Sequence, residues 1–263
     1  MAYPSGRVVV YGFDTQGRPN QMTDFEGSAT VILASSVTYE PFGGVHSFNY
    51  GDGQTAPVQT YTRSRDQDGR IASYTLNGGS RTMSILYDAA SQVSTVNDSL
   101  NASNPANYGY DPMSRLNSYL QGATSQSYGY DVDGNRTTQT LGATTTNYTL
   151  GTGNNWLSSS LTGATQANYS HDANGATTAD ATKQYAYDLR GRLIQTTTAQ
   201  GVVNYEINAF GLRTRKQDTW TGGADTEFHY DAAGHLIAEG ATGGSAFSRE
   251  YVWLGDIPVA VLQ

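Results

Sequence analysis

The residues with the most chemistry in them are carboxylates and histidines at short spacings. Asp131 and Asp133, like Asp66 and Asp68, stand in Asp-x-Asp-Gly runs ending at Gly134 and Gly69. Closely spaced carboxylates suit a hard cation, but a helix-flanked calcium loop also needs a bidentate acid six residues after its Gly. Those positions hold Thr140 and Thr75, so that site is excluded. Glu227, His229 and Asp231 would share one face of a strand, with His235 just past the following turn, an arrangement that could build a metal or acid–base cluster. The plainer reading is preferred: His235 takes a position that elsewhere holds Arg, and His229 is an exposed alternate. No Gly-x-Ser-x-Gly elbow occurs, and Gly151-Thr152-Gly153 lacks the third Gly and the Lys of a phosphate loop. Cys is absent, which removes disulfides and thiolate metal sites. The expectation is no catalytic residue, no cofactor and no metal.

Most of the carboxylates belong instead to a recurring phrase, spelled Tyr187-Asp188-Leu189-Arg190-Gly191-Arg192-Leu193. Further copies hold Tyr230, Asp231 and Gly234; Tyr130, Asp131 and Gly134; and Tyr110 and Asp111. Phe13, Asp14 and Gly17 make a good early copy, whereas Tyr39 and the pair Tyr87–Asp88 open weaker ones. An aromatic ends a strand, Asp opens a type I turn with its carboxylate on backbone N–H groups, and Gly accepts the left-handed conformation. That combination joins two antiparallel strands. Ser91 stands where Gly belongs, which predicts a strained or altered turn. Around His171 the Gly reads as shifted by one.

The phrases form a ladder at Phe13, Tyr39, Arg65, Tyr87, Tyr110, Tyr130, Leu150, His171, Tyr187, Ile207 (with Gly211), Tyr230 and Tyr251 (with Gly255). Spacing near 20 residues accommodates two strands and two connections, and a fixed period of this kind marks a stacked array. The chain therefore reads as a single array over 1–263, degenerate in 1–104 and regular in 105–263. Alternation between turns is strand-like, as in Val203, Tyr205 and Ile207 against Val202, Asn204 and Glu206. No apolar period of 3.6 residues persists. The low-complexity stretches 141–146 and 240–245 read as loops at hairpin tips.

Composition agrees. Leu, Ile, Val and Phe number 45 of 263, a level at which disorder becomes a live alternative, but net charge is only −8 and 19 Tyr supply aromatic bulk. Thirty Gly with abundant Tyr, Thr, Ser and Val favour strand and turn. The acidic balance and the absence of a basic run argue against nucleic acid. No apolar segment is long enough to span a membrane as a helix, and the start does not read as a signal peptide. Asn97, Asn101, Asn135, Asn147 and Asn168 open Asn-x-Ser/Thr triplets, at a frequency expected by chance in so Asn- and Thr-rich a chain.

Repeated Tyr-Asp-x-x-Gly-(Arg/Asn)-Leu at this spacing resembles the YD repeats of Rhs proteins, insecticidal toxin-complex shells and teneurins, with the bacterial Rhs type the better fit. The stretch Tyr251-Val252-Trp253-Leu254-Gly255-Asp256-Ile257-Pro258-Val259-Ala260 resembles the segment just before the Rhs-associated core, so the chain reads as a fragment of a longer protein. The resemblance implies an all-β fold, a repetitive antiparallel β-hairpin ribbon curling into part of a YD-repeat shell. It further implies a non-catalytic wall of a cocoon around a C-terminal toxin, secreted or at the bacterial cell surface. The alternative is an extracellular adhesion or carbohydrate-binding module using the tyrosine-rich face. The expected partners are the rest of the parent polypeptide or an enclosed toxin, and further copies of the chain through open sheet edges. Twelve phrases supply roughly 24 strands, a strip roughly 115 Å long. Rolled once, it is roughly 37 Å across with about 25 Å free inside, too narrow for a folded toxin roughly 38 Å across. An open strip or about one turn of a shell is therefore expected.

Overall fold

The recurring phrase is a hairpin turn in the computed structural model, which describes residues 1–26, 29–41, 43–54, 58–76, 79–243 and 247–263. At Asp188, its N–H donates to the Arg192 carbonyl (2.9 Å) and its carbonyl accepts from the Gly191 N–H (2.9 Å). Gly191 has φ of +76°, the left-handed region that lets the chain reverse. The same pair of bonds closes the turns at Asp14, Glu40, Asp66, Asp88, Asp111, Asp131, Asp172, Asn208 and Asp231. The degenerate spelling of the first hundred residues thus hides regular turns. One expectation is corrected here: the turn at Asp172 has its Gly175 in the ordinary place, with no shift. Ser91 keeps the turn's bonds but adopts φ of +64° itself, so that turn is strained and not altered.

Ser114 does the same at +64°. A left-handed non-Gly residue costs of order 1 kcal/mol. Ser114→Gly is therefore expected to raise the unfolding free energy by about 1 kcal/mol in urea denaturation. An unchanged or lowered midpoint would show that the turn holds Ser without strain.

Among the described residues the chain forms 25 strands, β1 to β25 in chain order, and no α-helix. Every strand pairs antiparallel with its sequence neighbours, in one sheet of 15 strands and one of 10. The sheets are separated by a single residue, Tyr169, between β15 (Thr165–Asn168) and β16 (Ser170–His171). On the edge opposite the Asp turns, two-residue hairpin turns sit at Gly122, Gly142 and Gly163, with φ of +56°, +57° and +58°; Gly255, at +59°, makes another on the Asp-turn edge between the last two strands. Gly at the first central position with positive φ marks the type II′ turn that matches strand twist. The stretch 141–146 is accordingly a hairpin tip, but a short one: Leu141 ends one strand, Thr144 starts the next, and only Gly142 and Ala143 turn. In the stretch 240–245, Gly240 and Ala241 complete β23 (Leu236–Ala241), and residues 244–246 lie outside the described residues.

Most of this ribbon is a single layer. The accessible surface is 15395 Å², against about 11,000 Å² for a compact monomer of this mass. The clustered core is confined to the two ends of the chain. Tyr3, Val9, Met22, Ala34, Val37, Val45, Phe48 and Tyr61 from the first strands meet Ile237, Val252, Leu254 and Val259 from the last. Thus β1 (Val8–Phe13), β2 (Pro19–Glu26), β3 (Ala29–Tyr39) and β4 (Val45–Tyr50) lie face to face with β23, β24 (Phe247–Leu254) and β25 (Ile257–Leu262). The ribbon makes about one turn and its ends overlap as two layers along a seam. Roughly 23 strand spacings between β1 and β24 give a perimeter of about 110 Å and a width of about 35 Å.

The ends differ from two open edges. Residues 1–3 fold back along β1, with Ala2 bridging Val8 and the Val9 N–H on the Met1 carbonyl at 2.9 Å. At the other end β25 pairs with β24 alone.

Candidate functional site

The phrase does more than turn the chain. In the copies at Asp14, Asp66, Asp111 and Asp188, one carboxylate oxygen accepts the N–H groups two and four residues on. The other accepts Nε of the Arg four residues on, at 2.9, 2.8, 2.6 and 2.7 Å. Asn135 and His235 take the Arg role beside Asp131 and Asp231, both at 2.9 Å. Asp88 makes only the two backbone contacts. In the phrase at Ile207, Asn208 supplies the turn oxygen and Gly211 the positive φ.

Most phrases are then tied to the next. The ring that opens a phrase sends its polar hydrogen to the carbonyl just after the preceding turn. Tyr39 donates to Pro19 (2.6 Å), Tyr87 to Ile71 (2.9 Å), Tyr110 to Val93 (2.9 Å) and Tyr130 to Leu116 (2.7 Å). Tyr187 donates to Thr177 (2.8 Å) and Tyr230 to Arg213 (2.9 Å). The preceding Arg covers the same ring: Arg18 lies 4.6 Å from the Tyr39 centroid, Arg70 4.4 Å from Tyr87 and Arg115 4.6 Å from Tyr130. Such cation–π contacts add to burial of the ring. Arg115 and Arg192 also donate Nη1 to the carbonyls of the next turn, Asp131 (2.9 Å) and Asn208 (2.8 Å). Phe13, first in the ladder, has no hydroxyl and is 60% exposed.

At the last phrase the ring in this place is Trp253. Its Nε1 donates to the Leu236 carbonyl (2.8 Å), and His235 stacks on it at 4.7 Å. Tyr251, the residue singled out from the sequence, instead gives its hydroxyl to Glu239 (2.9 Å), and Gly255 makes the two-residue turn beyond. Trp156 against His171 at 5.6 Å repeats the ring-on-ring variant in the middle of the chain.

These bonds fix the turn carboxylates in their charged form. Asp14, Asp111 and Asp188 are held below the usual carboxylate range, first by the backbone N–H four residues on and also by the Arg side chain at the same position. A depressed folded pKa adds stability that is present above the ordinary value and lost as pH falls through the folded one. With many turns acting together, the melting temperature is expected to stay level above about pH 5 and to fall steeply below about pH 4. A melting temperature that is flat down to pH 2.5 would show that the turns contribute nothing through their charge.

The second constellation is the seam. The Arg7 guanidinium lies between Asp24 (2.7 Å) and Glu250 (3.5 Å), and both carboxylates are buried. Ser5 gives its N–H and hydroxyl to the two oxygens of Glu250, at 3.1 and 2.9 Å. The Tyr3 hydroxyl donates to the Tyr251 carbonyl (3.1 Å) and that of Tyr11 to the Trp253 carbonyl (3.0 Å). Burial, then neighbouring Tyr11 and the acids around it, pushes the Tyr3 phenol well above its ordinary range.

The alternative cluster of Glu227, His229, Asp231 and His235 does not assemble. His229 lies 3.6 Å from Glu227 and edge-on to Phe247 at 5.1 Å, while His235 pairs with Asp231 and Asp256. Among the described residues no three His, Cys, Asp or Glu converge as a metal site. What the geometry does chemically is to lock turns together and to lock the two ends of a ribbon.

A family model for the teneurin YD-shell matches residues 49–237, more than two thirds of the chain. The chain belongs to the YD-shell family. No curated protein matches it. Among solved structures, the Photorhabdus luminescens Tc holotoxin pore carrying a TccC3 point mutant superposes on this YD-shell chain with a TM-score of 0.69 at 15% identity. The match covers 94% of this chain and 14% of that one. TcdB2-TccC3 without its hypervariable C-terminal region follows, with a TM-score of 0.51 at 14% identity, covering 95% and 17%. The likeness is one of fold, and the YD-shell chain spans a small part of either relative. Among the described residues no helix is long and apolar enough to cross a membrane.

Proposed function

We propose that residues 1–263 are one array that acts as a non-catalytic wall segment of an Rhs-type cocoon, enclosing part of a toxin or effector. The observation that carries this reading is the distribution of structure. The turns are cross-linked from phrase to phrase, the clustered core lies at the seam, and the ribbon between is a single layer with two free faces. A wall needs that build, whereas a catalytic domain needs a filled core around a pocket. The solved relatives belong to Tc toxin assemblies, which supports a toxin as the enclosed partner and a secreted or bacterial cell-surface setting. A width of about 35 Å leaves room for extended chain and not for a folded domain of 150 residues, roughly 38 Å across. The tyrosines argue for architecture over sugar binding, because their hydroxyls and faces are spent on the neighbouring phrase.

Limited proteolysis of the full-length natural polypeptide tests this. Residues 1–263 are expected to resist trypsin as a unit, and polypeptide carried inside the wall is expected to be cut only after denaturation. Equal cleavage rates for that polypeptide before and after denaturation would remove the enclosure reading.

A further inference from the structure

His235 stands in a place where Arg18, Arg70, Arg115 and Arg192 serve four other phrases. Arginine there is charged at every accessible pH, so those locks do not switch near neutrality. Histidine is the one substitute whose charge changes near neutrality. Its surroundings are also different. Nδ1 lies 2.9 Å from Asp231 Oδ2, in its own turn, and Nε2 lies 3.2 Å from Asp256 Oδ1, in the last turn of the chain. A neutral imidazole has one N–H and can donate to only one of these carboxylates; the imidazolium donates to both.

The ring joins this charge to the seam. It stacks on Trp253 at 4.7 Å and 18°, Trp253 Nε1 holds the Leu236 carbonyl, and the Trp253 carbonyl accepts from Tyr11 on β1. Leu254 and Ile237, beside these residues in sequence, are core members of the overlap. We propose that His235 is a proton-operated clasp: protonated, it binds the last two turns together and holds β23–β25 against the first strands, and when it loses its proton the overlap loosens.

The charged and titratable groups facing it are Asp231 from its own turn and Asp256 from the next. Tyr3 and Tyr11 stand across the seam within the field of Asp231. The Asp231 hydrogen bond, followed by that of Asp256, holds the imidazole above its ordinary value against desolvation. A raised folded pKa gives stability that is full below the unfolded value of 6.5 and is lost as pH rises through the folded one. Asp231, held below its ordinary range, stays ionised throughout that window.

The test is hydrogen exchange, corrected for intrinsic rates, between pH 6 and 9 on the wild type, His235→Arg and His235→Gln. Protection of residues 236–241 and 247–262 in the wild type is expected to fall about three- to fivefold as pH rises, the scale of a partly exposed ion pair. His235→Arg is expected to keep high protection across the range, and His235→Gln to show low protection throughout. Parallel pH profiles for the wild type and His235→Arg would overturn the proposal, and that comparison stands even if the Gln variant does not fold. Residues 193–213, served by Arg192, form the internal reference and are expected not to respond.

Discussion

Arg7→Ala is expected to release the two ends of the ribbon, at a cost of about 3–5 kcal/mol in chemical denaturation. The cost comes from what the substitution leaves behind. Asp24 and Glu250 are each only 3% exposed, and Arg7 stands within ion-pair distance of both. One Asp24 oxygen already has no hydrogen-bond partner. Without the guanidinium, two buried carboxylates face each other across the seam with only Ser5 to bond Glu250. Removing charge from the other side separates electrostatics from packing. Arg7→Met with Asp24→Asn and Glu250→Gln leaves no buried charge, and is expected to recover most of the loss, because replacing all members of a buried ion cluster is often close to neutral. If the triple variant is as unstable as Arg7→Ala, the cluster matters through shape and hydrogen bonding, and the charge argument fails.

The seam is also what the sequence hides. The turns were legible because they are local. Asp188, Gly191 and the aromatic before them lie within five residues, and type I turn chemistry acts at that range. The repeat spacing then extends one turn into a ribbon. Two further local signals can be seen in retrospect. Gly-Ala-Thr recurs at Gly122, Gly142 and Gly163 and marks the type II′ turns of the opposite edge. An Arg four residues after the Asp, next to a ring one phrase later, marks the cross-link. Trp253 was missed for Tyr251 because both lie near the expected spacing, and only the bond to Leu236 decides between them. The overlap has no local signal at all. Ser5 and Glu250 are 245 residues apart, and nothing in either neighbourhood distinguishes a carboxylate that will be buried from one that caps a turn.

Phe48→Ala carries the other large expected effect, about 3–5 kcal/mol. Phe48 is 1% exposed on β4, stacked on Tyr61 at 5.1 Å and edge-on to Tyr50 at 4.9 Å. Truncation removes burial, two aromatic contacts, and the filling of the only clustered core that the described residues form. Leu86 provides the contrast: it lies in the single-layer wall, is 53% exposed, and its change to Ala is expected to stay within about 0.5 kcal/mol. The two sites also differ in where the damage appears. In a quasi-linear array each unit is stabilised by its neighbours, so a weakened end need not melt the middle. Hydrogen exchange of Phe48→Ala is expected to show lost protection in β1–β4 and β23–β25, with the turns at Asp188 and Asn208 unchanged. Uniform loss along the whole chain would mean that ladder and seam fold as one cooperative unit. In that case the core would organise the entire ribbon and not merely close it.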